Sequence, residues 1–136
     1  MSANTAPIFP LTPVITTGQV VLTANTAKDG SGTMATLYTA GANGGFVQKV
    51  VCQPSGTNTA SVARVFINNG LTNATPANNT LIKDATLPAT TNSEVAGIGN
   101  TEIGLNIAIP PGYKINVAIG TTVAAGIAFS CVAGDY

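Results

Sequence analysis

The side chains able to do acid–base chemistry are few. The acids are Asp29, Asp84, Glu94, Glu102 and Asp135, and the cations are Lys28, Lys49, Lys83, Lys114 and Arg64. General acid–base catalysis by carboxylates needs two of them converging on one reacting group. Asp29 and Asp84 each follow a lysine directly, the placement of a solvated surface. Glu94 and Glu102 bracket the loop at 95–101 and are the one pair the chain could bring together. There is no histidine, so the serines and cysteines lack the usual base that activates a nucleophile. Gly97-Ile98-Gly99 opens like a dinucleotide fingerprint, but it lacks the third glycine and the following helix that would face a phosphate. Lys28-Asp29-Gly30-Ser31 offers one acid where a calcium loop needs several oxygen ligands. No catalytic residue, cofactor site or metal site is legible, and the sequence reads as non-enzymatic.

Ala, Thr, Gly and Asn supply 20, 20, 15 and 13 residues, half of the 136. Charged residues make up 7%, against about 25% in ordinary soluble domains. The net charge of zero gives no attraction for phosphate backbones, so nucleic acid is not an expected partner. No apolar run is long enough for a membrane helix, and no small-molecule substrate is implied. A hydrophobic fraction of 45% is too high for a disordered chain. So few charges provide little repulsion between molecules, which points to a surface of Thr, Asn and Ser, or one covered by neighbours. Cys52 and Cys131 lie in apolar runs and read as buried small hydrophobes, with a disulfide as the alternative. The first residues lack the basic and apolar regions of a secretory signal, so a cytoplasmic product is expected. Asn73-Ala74-Thr75 and Asn78-Asn79-Thr80 match the glycosylation pattern by chance in so Asn- and Thr-rich a chain.

Two parts are expected: an extended arm over residues 1–13 and a single domain over 14–136. In the arm Pro7, Pro10 and Pro13 recur every third position among Ile8, Phe9 and Leu11. Proline fixes its own φ and biases its predecessor toward extended backbone, so this segment cannot join the middle of a sheet. Ile8, Phe9 and Leu11 are the candidate partner-contact residues. Each could contribute about 1.5–3 kcal/mol if buried in a neighbour; folding back over the arm's own domain is the alternative.

Beyond the arm the apolar period is two. Ile103, Leu105, Ile107 and Ile109 alternate with small or polar residues, and the pattern resumes at Tyr113-Lys114-Ile115-Asn116-Val117. Pro110-Pro111-Gly112 between them fits a type II turn, giving a hairpin or a corner. Further strands are expected at 19–23, 33–39, 46–53, 61–68, 81–87 and 126–132, with 14–17 as a ninth. About eight short strands with polar turns predict an all-β antiparallel two-sheet sandwich of jelly-roll type. Lys28–Gly32 reads as an exposed loop tip. The polar loops at 54–60, 71–78 and 89–101 could cluster at one end, as receptor- or glycan-binding loops do. A glycan face also needs an exposed aromatic, for which Tyr38, Tyr113 and Tyr136 are the candidates; Phe46, Phe66 and Phe129 fall at core positions.

Gly45-Phe46-Val47-Gln48-Lys49-Val50, the stretch Val62–Gly70, the turn at Ile109-Pro110-Pro111-Gly112-Tyr113 and the ending Ala133-Gly134-Asp135-Tyr136 give the chain a recognisable style. It resembles the jelly-roll cement or decoration proteins on the capsids of tailed, short-tailed in particular, bacteriophages. That resemblance implies a virion protein on the outer capsid surface, made in the host cytoplasm. It implies dimers or trimers that bridge neighbouring major capsid proteins. A tail, collar or spike component is the alternative station.

Overall fold

A computed structural model describes residues 10–136. The period-two segments form nine strands: β1 (Thr12–Ile15), β2 (Gln19–Val21), β3 (Ala35–Thr39), β4 (Gly45–Pro54), β5 (Ser61–Asn68), β6 (Asn79–Leu87), β7 (Thr101–Ile109), β8 (Lys114–Ile119) and β9 (Ile127–Asp135). The described residues contain no α-helix, only a 3-10 turn at Pro76–Asn78 inside the expected 71–78 loop.

The strands form two antiparallel sheets packed as a sandwich. In the five-stranded sheet the order is β1-β9-β4-β7, with β2 also on β9; in the four-stranded sheet it is β3-β8-β5-β6. β1 and β2 both pair with β9 and are separated at residues 16–18, where Gly18 takes φ +74°. Counted as two halves of one strand they make each sheet four strands wide, the eight-strand jelly-roll arrangement. β1 begins inside the expected arm: Thr12 pairs with Asp135 and Pro13 with Gly134. Pro13 lies on an outer strand, where its missing N–H breaks no ladder. Having β1 as a partner also explains why β9 runs on to Asp135 through a glycine.

The Tyr113 N–H donates to the Pro110 carbonyl at 3.2 Å, and Gly112 has φ +76°. The expected type II turn therefore forms. It joins β7 of one sheet to β8 of the other, so it is a corner rather than a hairpin.

Alternate residues of both sheets meet in one core. Val47, Val50, Cys52, Ile103, Ile109, Phe129 and Cys131 face Ala63, Val65, Leu87, Ile115, Val117 and Ile119. The two cysteines are free thiols. Cys52 is in register with Phe129 and Cys131 with Val50, so they sit diagonally on neighbouring strands.

A second buried layer lies outside the four-stranded sheet. Phe66 pairs with Asn116, and Ala118 with Arg64, on the face turned away from the core, yet Phe66 is fully buried and Asn116 and Ala118 nearly so. The segment between β2 and β3 crosses that face. The Asn25 N–H donates to the Ile119 carbonyl at 2.9 Å, and Asn79 Nδ2 donates to the Asp29 carbonyl at 3.2 Å. Asn73 Nδ2 donates to the carbonyls of Gly30 (3.1 Å) and Gly32 (2.7 Å). Lys28, Asp29 and Gly32 are exposed, as expected of a loop tip, but the loop is tied down at Gly30, which is buried and where a Cβ would lie 2.5 Å from that of Asn79.

Candidate functional site

The fold disperses the titratable groups. Glu102 projects from the outer face of the five-stranded sheet and binds Lys49 Nζ at 3.1 Å. Glu94 sits in the exposed β6–β7 loop, and no hydrogen bond ties it to Glu102. Asp29 accepts from the Ser31 N–H at 3.0 Å and from its hydroxyl at 2.5 Å. Chiefly the hydroxyl, then the N–H, holds the Asp29 carboxyl below the usual range. Asp84 pairs in register with Arg64, without an ion pair within 4 Å. Among the described residues, no three Cys, Asp or Glu side chains gather as a metal-binding group.

Burial pushes the thiols of Cys52 and Cys131 up to about 12 from 9.0, so both stay protonated where a nucleophilic thiolate would be needed. The buried Tyr38 hydroxyl donates to Asp135 Oδ1 at 2.5 Å and is held above the ordinary tyrosine range, by burial first and by that acceptor second. Tyr38 is only 3% exposed and is unavailable to a sugar. Tyr113 packs against the core, while Tyr136 is half-buried. Phe46 differs from its expected core position. It pairs with Gly134 and Ala108 on the outer face of the five-stranded sheet and is half-buried.

Of the three polar loops, two meet. Asn58 and Thr90 exchange backbone hydrogen bonds at 3.0 and 3.2 Å, and Thr90 Oγ1 donates to the Gly56 carbonyl at 2.7 Å. Asn58 Nδ2 donates to the Gly126 carbonyl at 2.9 Å while its Oδ1 accepts from the Ala125 N–H at 2.7 Å. The 71–78 loop lies at the opposite end, between the end of β5 and the start of β6. Three loops clustered at one end are therefore not what forms.

The remaining candidate is a contact surface. Ile8 and Phe9 lie outside the described residues. Leu11 is 83% exposed, and its N–H donates to the Asp135 carbonyl at 2.8 Å. Of the six exposed large hydrophobics among the described residues, four (Leu11, Ile15, Val20 and Leu22) lie along the β1–β2 side of the molecule. Alternation in register carries this character across the sheet: Ile15 stands beside Val132, and Val20 beside Ala128. The charges on that face are the neighbouring Lys49 and Glu102, which cancel. The Gln48 bulge in β4 keeps Phe46 and Val51 pointing outward on either side of it.

Beside β2 runs a groove of about 870 Å³ whose lining contains no charged side chain. Its lining includes Val20, Leu22, Met34 and Ala118, with the polar Gln19, Asn25 and Thr33 among them. Sequence reasoning missed this groove because it depends on where residues 22–34 cross. It also missed the asparagine network, whose side chains bind backbone far away in sequence; the density of Asn in 68–79 was its only signal.

No family model matches this chain, and neither a curated protein nor a solved structure matches it.

Proposed function

We propose that this protein is a non-enzymatic structural component of a virus particle, of the capsid cement or decoration kind. It binds the outside of a shell and bridges neighbouring major capsid proteins and copies of itself. The observation that carries the reading is the apolar, net-uncharged β1–β2 side of the sandwich, continuous with an arm rich in proline. Such a surface associates with little desolvation of charge. Its strands are poor templates for strand addition, because β1 and β2 are short and interrupted by Pro13 and Gly18. Bridging then falls to side-chain faces and to the arm, where repetition over many copies amplifies a weak contact. The style of the sequence supports the same assignment.

The test is occupancy and heat resistance of purified particles. Deleting residues 2–9 leaves Thr12–Ile15 on β9, so the sandwich is kept. The expected result is a lower copy number on the shell by gel stoichiometry and a lower particle melting temperature. Full occupancy with unchanged melting would reject the arm's role, and six or twelve copies at a vertex would place the protein on a tail or collar.

A second reading, a receptor- or glycan-binding module of a tail or spike, is favoured by the meeting of the 54–60 and 89–101 loops through Asn58 and Thr90. A glycan array without binding above background counts against it.

A further inference from the structure

Neither the groove beside β2 nor the arm carries a charged side chain. The first 27 residues carry no charged side chain, and Pro7-Ile8-Phe9-Pro10-Leu11 is an apolar segment interrupted only by prolines. The groove lining is equally uncharged, with Val20 half exposed and Leu22 44% exposed at its rim. Both rim residues lean on Gly126: a Cβ there would lie 2.6 Å from Val20 Cγ1 and 3.2 Å from Leu22 Cγ. That glycine has φ +89°, and any side chain in its place would collide with the rim.

The chain's own geometry separates the two. The described backbone starts at the far end of β9, where Pro10 lies over Gly134 and the Leu11 N–H binds the Asp135 carbonyl. The groove lies at the near end, where Gln19–Val21 pair with Phe129–Ile127. Gly134 and Ile127 are seven residues apart along one strand, roughly 24 Å. Ile8 and Phe9 stand two residues and one residue before Pro10, a reach of about 7 Å, so they cannot enter the groove of their own chain while Pro10 lies over Gly134. A neighbouring copy is under no such limit.

We propose that the groove bounded by Val20, Leu22, Met34 and Ala118 receives the Ile8–Phe9 portion of the arm from a second copy of this chain. The prolines lessen the ordering entropy of the incoming segment. Recognition would run through side chains, Ile8 and Phe9 against Val20, Leu22 and Met34, since β2 is too short to template an added strand. This deepens the arm-docking part of the reading above and names the receiving surface. It does not depend on what particle the copies decorate.

The experiment replaces Phe9 with the photoreactive p-benzoyl-phenylalanine in the full-length chain, mixes isotopically light and heavy protein, and maps crosslinks by mass spectrometry after illumination. The expected result is light-to-heavy products joining position 9 to the 20–35 segment. Leu22→Asp, an exposed rim substitution, should lower their yield by about tenfold without moving the melting temperature. Crosslinks confined to single chains, crosslinks between copies that fall outside the groove, or a yield indifferent to Leu22→Asp would each overturn the proposal. So would the absence of mixed-isotope products up to about 1 mM protein. Particles added to the same mixture separate the two readings: crosslinks to the capsid protein alone overturn arm exchange between copies while leaving a capsid role standing.

Discussion

The hydroxyl of Tyr38 donates to Oδ1 of Asp135 at 2.5 Å, joining β3 of one sheet to β9 of the other. The same oxygen accepts from the Gly41 N–H at 3.0 Å, and the Tyr38 hydroxyl also lies 3.2 Å from the Gly134 carbonyl. The β3–β4 corner, the end of β9 and the start of β1 are thereby held at one point. Gly45 makes the arrangement sterically possible, because a Cβ there would overlap the Tyr38 hydroxyl.

Tyr38→Phe keeps the ring and removes the clamp. Loss of a hydrogen bond to a partly buried carboxylate should destabilise the fold by about 1–2 kcal/mol, or roughly 3–8 °C in Tm. Calorimetry on the purified chain checks it, and an unchanged Tm would mean that the bond contributes nothing net.

Gly45→Ala should be worse, by more than about 2 kcal/mol, since its Cβ meets both Tyr38 and the Gly134 carbonyl, the latter at 2.9 Å. The double variant with Tyr38→Phe should lose less than the sum of the two single losses, because part of the clash is with the deleted oxygen. Additivity in urea denaturation would show that the two residues do not share this contact.

Asn58→Asp tests the loop junction. The side chain is 5% exposed and uses both of its ends, donating to the Gly126 carbonyl and accepting from the Ala125 N–H. A carboxylate preserves the second bond and turns the first into a repulsion, with an expected loss of about 2–4 kcal/mol at neutral pH. Protonation restores a donor, so the deficit relative to wild type should shrink on acidification. A pH-independent deficit would contradict this account.

Alkaline pH should weaken the fold through the buried thiols. Burial raises Cys52 and Cys131 from 9.0 to about 12, so between those values the unfolded chain ionises first. Stability is then fully present below pH 9 and lost as pH rises toward 12, by about 1.4 kcal/mol per pH unit for each thiol. Tyr38, also raised, adds to the loss above its ordinary value of 10.0. Urea midpoints measured under reducing conditions from pH 7 to 11 should fall above 9. The fall should be shallower in a Cys52→Ala/Cys131→Ala variant.

Phe66→Ala should cost about 3–5 kcal/mol although the ring faces away from the core. The substitution uncovers the layer beneath residues 22–34, so amide exchange in that segment should accelerate along with global unfolding. Retention of wild-type protection at 22–34 would show that the ring does not support it.

What was legible in the sequence follows from what is local. The alternation of Ile103 through Ile109, the Pro111-Gly112 turn and the strand Ser61–Asn68 depend on neighbouring residues and appear where expected. The identity of Pro110–Tyr113 as a corner depends on which sheet each flanking strand joins, and pairing partners far away decide that. Phe66 is apolar and buried as its type suggests, but its side of the sheet depends on the crossing loop. That loop is held by Asn73 and Asn79, more than 40 residues downstream. Asparagine looks alike in a solvated loop and in a network that ties two loops together, so the exposure of Lys28, Asp29 and Gly32 is legible in composition while the tether at Gly30 is not. Leu11 reads from the sequence as part of an extended arm and is exposed, whereas the groove beside β2 exists only once two distant strands are aligned.

The position of β9 has a kinetic consequence. It is the ninth strand to be synthesised, yet it lies inside its sheet, paired with β1 and β2 on one flank and β4 on the other. Until residues 127–135 have left the ribosome, β1 and β2 have no partner and β4 keeps one side open. The earlier strands therefore wait as an incomplete sandwich with an apolar interior exposed, and closure requires a pairing that spans more than 120 residues, Thr12 with Asp135. Folding dominated by such distant contacts belongs to the millisecond-to-second class. Crowded nascent copies are most vulnerable to joining the wrong partner in that interval.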